Sequence, residues 1–221
     1  MDTRHLFRLT STFVILAVAV ALPIGSAAVV PDPVIDSDSA GAKGKQTAVL
    51  AGGCFWCTEA VLEELIGVHK VVSGYAGGEA AAAKYDLVAR GSTNHAEAIK
   101  ITFDPAKISY GQLLQVFFSV AHDPTQLNRQ GPDYGRQYRS AIFWRDAEQK
   151  RIAEAYIQQL NEAKVFSKPI VTEVVELEKF YTAEPYHQDF VKLHPRHMYV
   201  VVNALPKLKK LSKEFPALVT K

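Results

Sequence analysis

The chain's only two cysteines stand two residues apart in "AGGCFWC", where an apolar run meets two glycines. Thr47 to Ala51 reads as a short buried strand and Gly52-Gly53 as a turn. Val61, Leu62 and Leu65 then fall at helical spacing. A strand therefore runs through a tight turn into a helix, with Cys54 at its entrance and Cys57 about one turn on. Free N–H groups and partial positive charge at a helix start favour thiolate over thiol, so Cys54 is expected to be activated. Positions three apart on a helix can meet, so Cys57 can reach Cys54 after modest unwinding.

The start of the chain bears on how this pair is read. Arg4 and Arg8 precede an apolar run from Phe13 to Leu22, and small residues follow from Gly25 to Ala28. Residues 1–28 have the pattern of a secretory signal peptide cut near Ala27 or Ala28. An uncleaved membrane anchor is the alternative, though the run is short against the roughly 20 residues a span needs. The protein is then expected to be exported, periplasmic or extracellular, with no membrane segment in its mature domain. In an oxidising compartment such a pair sits as a disulfide unless a dedicated reductant maintains it. A bridge closing so small a loop constrains the unfolded chain little, so a structural staple explains the pair poorly. Zinc would need two further ligands, and His194 and His197 are too closely spaced to supply them in the usual pattern. A redox couple and a pair of inert buried thiols both stay open.

Residues 29–45, rich in Pro, Asp, Ser, Gly and Ala, read as a flexible linker, leaving residues 46–221 as the domain. Strands are predicted at Val68–Tyr75, Glu97–Phe103, Ser140–Trp144 and Ile170–Glu178. Helices are predicted after a Ser109 cap, after an Asp146 cap with Gln149 behind it, and over Pro206–Phe215. That order argues for an α/β (α+β) domain: a two-layer sandwich with a mixed sheet, packed helices and a ferredoxin-like core. His122 to Arg139 lacks periodicity and is long for a connection, which marks it as a candidate functional loop. A formal net charge of +2 with no basic stripe gives no reason to expect a nucleic-acid partner. Neither a dinucleotide fingerprint nor a P-loop occurs.

Five blocks then follow in order: "GGCFWC" at 52–57, "SGYAGG" at 73–78, "NHAEAIKITFDP" at 94–105, "HDPTQLNRQGPDYGRQYRSAIF" at 122–143 and "YHQDF" at 186–190. Together they resemble the A-type peptide-methionine sulfoxide reductases over about Gln46 to Phe215. The resemblance implies a thiol enzyme that reduces methionine-S-sulfoxide, free or in oxidised proteins, as a repair activity against oxidative stress. Cys54 would be the nucleophile that becomes a sulfenic acid, and Glu97, Tyr85 and Tyr138 would supply protons to the sulfoxide oxygen. Asp133 would help hold the substrate, and Phe55 and Trp56 would wall the methyl pocket. A glutamic acid donates at neutral pH only if burial raises its pKa, so Glu97 is expected in a poorly solvated pocket. The resemblance also implies recycling by a thioredoxin-like reductant, or by dithiothreitol in vitro, with no metal or other cofactor, and a monomer.

Three departures matter. The tail from Asn203 has no cysteine, so Cys57 is the resolving thiol that the resemblance leaves for Cys54. Ala83-Lys84 replaces a common Pro-Thr before Tyr85, and Asn94 replaces a common Gly. Tyr186, His187, His95 and His122 are read as structural support. Two other functions compete: a general thiol–disulfide oxidoreductase of the thioredoxin kind, and a redox-sensitive binding module.

Overall fold

The computed structural model describes residues 30–37 and 44–220, and the signal-peptide expectation for residues 1–28 lies outside the described residues. Strand β1 (Gln46–Gly52) turns into α1 (Phe55–Glu63), and the chain returns as β2 (Val68–Ala76). A five-residue helix, α2 (Tyr85–Ala89), precedes β3 (Ala96–Phe103). Next comes α3 (Tyr110–Val116), continued by a π turn at Phe117–Ala121. The loop expected to be functional holds a small hairpin, β4 (Arg129–Gln130) with β5 (Asp133–Tyr134), and a 3-10 turn at Arg136–Tyr138. The chain ends with β6 (Ser140–Trp144), α4 (Ala147–Glu162), β7 (Glu173–Glu176), β8 (Phe180–Thr182), α5 (Phe190–Leu193) and α6 (Leu205–Glu214).

The main sheet has the order β7-β6-β1-β3-β2-β8, with β6 and β7 parallel and every other neighbour antiparallel. Two split βαβ units interlock: β3 lies between β1 and β2, while β1 lies between β3 and β6. That is the expected ferredoxin-like core. One face buries Leu50, Ile99 and Ile101 beneath Val61, Leu62, Leu113, Leu114, Ile152 and Tyr156 of α1, α3 and α4. The other is a smaller cluster around Ala51, Ala76, Ala98 and Phe143.

The caps form as the sequence predicts for α3, where Ser109 and Gln112 make a reciprocal capping box. At α4 only half of it forms. Asp146 accepts from Gln149 N–H, while the Gln149 side chain instead takes Arg145 N–H and reaches Thr47 O. The predicted strand at Ile170–Glu178 shortens to β7 because Val171 N–H leaves the sheet for Pro124 O.

The linker expectation fails for residues 30–37. Val30 is buried and its carbonyl accepts from Gln115 Nε2. Pro31 O accepts from the Tyr156 hydroxyl at 2.6 Å, and Asp32 O accepts from Gln159 Nε2 at 2.8 Å. Asp36 takes the Gly111 N–H at 2.8 Å and the Ser109 hydroxyl. Gly111 permits this approach, since a Cβ there would lie 2.6 Å from the Asp36 carboxylate. The segment is a strap on α3 and α4. Its prolines and aspartates read as solvated, but its backbone carbonyls satisfy buried donors of the domain.

Candidate active site

The site gathers at the entrance of α1. Gly53 turns the chain with φ of +87°, and a Cβ there would stand 2.5 Å from the Gln130 side chain. Only glycine allows both the left-handed turn and the close packing of the hairpin loop. Cys54 is the N-cap of α1 and half-buried; Cys57 faces inward among Ala60, Val191, Val200 and Ala204. Both thiols are free of disulfide and are hydrogen-bonded to each other.

Glu97 lies on β3, the strand next to β1, and is 2% exposed. Its Oε2 accepts the Phe55 N–H at 3.1 Å, so this first amide of α1 is spent on the carboxyl. The amides of Cys57 and Thr58 close onto Cys54 O. The helix start is therefore occupied by groups other than the Cys54 sulfur. Burial pushes the Cys54 thiol well up, reinforced by Cys57 and, once Glu97 ionises, by its charge. Burial therefore works against the thiolate that the helix start was expected to favour at Cys54. Donation from Cys54 pulls the Cys57 thiol down, against its own burial and with help from Lys207.

Burial also pushes Glu97 up to about 8, outweighing the Phe55 N–H that favours its anion. The carboxyl is protonated at neutral pH, as its proposed donor role requires. Tyr85 on α2 and Tyr138 on the 3-10 turn are half-buried, and both feel Glu97, Cys54 and Asp133. Burial raises both phenols, Tyr85 to about 12, so each holds its proton.

Asp133, from the hairpin, meets a residue the sequence reading missed. Tyr199 donates to Asp133 Oδ2 at 2.5 Å, and the same hydroxyl sits beside Cys54. It belongs to none of the quoted blocks and arrives from the turn before α6. Its only sequence signal is an aromatic in the run "HPRHMYVV". Of the two aromatic walls, Trp56 is half-buried and stacks flat on Phe190 at 3.7 Å. Phe55 is 1% exposed and lies in the core against Tyr75 and His187, so it backs the site from beneath.

His187 is more than filler. Trp56 Nε1–H donates to its Nδ1 at 3.1 Å, which leaves Nε2 to carry the proton of the neutral ring. Its ring lies 4.3 Å from that of Tyr85, and burial holds its pKa low. His122 keeps a supporting place, bonded to Phe117 O and Ser140 Oγ beneath Gly52. Among the described residues no cluster of three or more His, Cys, Asp or Glu side chains is placed to hold a metal ion.

The family model for peptide methionine sulfoxide reductase matches residues 46–218. The chain belongs to that family. It is 56% identical to the peptide methionine sulfoxide reductase MsrA 2 of Synechocystis over 85% of this chain and 88% of that protein. In structure it is similar to reduced Mxr1 of Saccharomyces cerevisiae, with a TM-score of 0.64, 30% identity, and coverage of 76% of this chain and 94% of that one. Methionine sulfoxide reductase A of Corynebacterium diphtheriae gives a TM-score of 0.60 at 33% identity, covering 80% of this chain and 89% of that one.

Proposed function

We propose that the protein reduces methionine-S-sulfoxide, free or in oxidised proteins, through a Cys54–Cys57 thiol cycle. As the Cys54 sulfur attacks the sulfoxide sulfur, Glu97 gives its proton to the sulfoxide oxygen and recovers the one the Cys54 thiol loses, while Tyr85 or Tyr138 donates a hydrogen bond to that oxygen. The oxygen passes to Cys54, methionine departs, and Cys54 is left as a sulfenic acid. Cys57 then attacks the Cys54 sulfur, water leaves, and a disulfide joins the two. A thioredoxin-like dithiol returns the pair to thiols and is itself oxidised to a disulfide. Asp133 and Tyr199 hold the substrate's polar side, and the Trp56–Phe190 stack receives its methyl group. The leader pattern of residues 1–28 supports export, so the reductant works in an oxidising compartment.

The single observation carrying this reading is a buried Glu97, bonded to the amide next to Cys54, in surroundings that push its carboxyl up to about 8. A thiol–disulfide exchanger has no use for it. Dithiothreitol-driven reduction of the two sulfoxide epimers tests the reading. Cys54→Ser should be inactive, and Cys57→Ser should complete one turnover but recycle poorly with thioredoxin. Multiple turnover by Cys54→Ser would overturn it.

A further inference from the structure

Tyr85 stands on a helix too short to hold itself in place. Helix α2 has five residues, and Lys84 at its N-cap offers no side-chain bond. Isolated helices of that length are unstable in water, so tertiary contacts must fix its orientation. Those contacts come largely from one residue. Glu184 Oε1 accepts the Tyr85 N–H at 2.9 Å, across 99 residues of sequence, and Oε2 accepts the Tyr75 hydroxyl at 2.7 Å.

Tyr75 is fully buried on β2 and stands directly opposite Glu97 in the sheet register. One carboxylate therefore ties the backbone of Tyr85 to the strand pair that carries Glu97. Glu184 also opens the 3-10 turn Pro185–His187, whose His187 ring packs on that of Tyr85 at 4.3 Å. At the other end of α2, the buried Gln137 donates to Ala89 O at 2.9 Å from the turn that bears Tyr138.

We propose that Glu184 is a positioning residue: its bonds to Tyr85 N–H and Tyr75 O–H set the Tyr85 phenol at the distance from Glu97 that proton delivery to the sulfoxide requires. This rests on the reading of Tyr85 as a proton donor. Glu184 touches no reacting atom and acts through Tyr85. A small displacement of a proton donor is costly to rate even where the fold survives.

The test is a double-mutant cycle on the full-length protein, reading the single-turnover rate of methionine-S-sulfoxide reduction by the reduced enzyme. Tyr85→Phe and Glu184→Ala should each slow the reaction about tenfold with little change in KM, as expected for loss or misplacement of a general acid. The double variant should be no slower than Tyr85→Phe. Glu184→Asp keeps the charge but shortens the reach, and guards against an alanine variant that does not fold. It should likewise be slow with Tyr85 present and neutral without it. Effects that multiply to about a hundredfold in the double variant, or a Glu184→Asp at full rate, would overturn the proposal. Failure of the wild type to reduce any sulfoxide would instead overturn the activity itself, and this proposal with it.

Discussion

Glutamine at position 97 separates what Glu97 does for chemistry from what it costs the fold. It has the shape of a protonated glutamate and keeps an oxygen for the Phe55 N–H, but it can neither ionise nor donate a carboxylic proton. Burial takes Glu97 from 4.5 to about 8. Below pH 4.5 the folded and unfolded chains both hold the proton, and stability is unaffected. As pH rises past that value unfolding releases a proton, so stability falls until the folded carboxyl ionises near pH 8. At about 1.36 kcal/mol per pH unit, Glu97 destabilises the fold by roughly 3 kcal/mol at pH 7 and by under about 1 kcal/mol at pH 5. Urea melts of Glu97→Gln and wild type at both pH values should show the variant more stable by those amounts. Sulfoxide reduction by the same variant should fall about a hundredfold, the usual range for a lost general acid. A stability difference that is absent at pH 7, or equal at the two pH values, would show that Glu97 ionises in the folded protein and would refute the reasoning.

Cys54 of the reduced protein should react with iodoacetamide at pH 7 more slowly than an unstructured cysteine, because burial pushes its thiol up; faster alkylation would contradict that. Tyr199→Phe removes the hydroxyl beside Cys54 that lowers its pKa, so the pH midpoint for alkylation should move up and turnover should slow. Deleting the strap through Ser37 strands the donors of Gln115 and Tyr156, and should lower unfolding stability by on the order of 3 kcal/mol in urea melts. Dithiothreitol-driven turnover per folded molecule should stay unchanged, since none of these bonds reaches the α1 entrance.

Much of the core was legible because its signals are local. The alternation at Glu97–Phe103, the glycines before Cys54 and the Ser109 cap each specify their element within a few residues. Of the residues on the quoted blocks, Glu97, Asp133 and Tyr138 come together near Cys54 at the entrance of α1. What stayed hidden is set by partners far along the chain. Tyr199 reaches Asp133 only because α6 and its preceding turn pack over Cys57. Helix α2 is invisible to periodicity, being held by Glu184 and Gln137 from distant turns. The strap misled for the same reason, as polar composition says nothing about donors waiting on α3 and α4. At Cys54 the sequence conveyed the helix start but not that Glu97 would take its first amide.

The central claim is that Cys54 takes the sulfoxide oxygen and Cys57 resolves it. Reduced protein, freed of dithiothreitol and given one equivalent of methionine-S-sulfoxide, tests this in a single mass spectrum. One equivalent of methionine should appear, and the protein should lose the mass of two hydrogens, with the bridge mapped to Cys54 and Cys57. Methionine released with both thiols still free, or no methionine at all, would contradict the account.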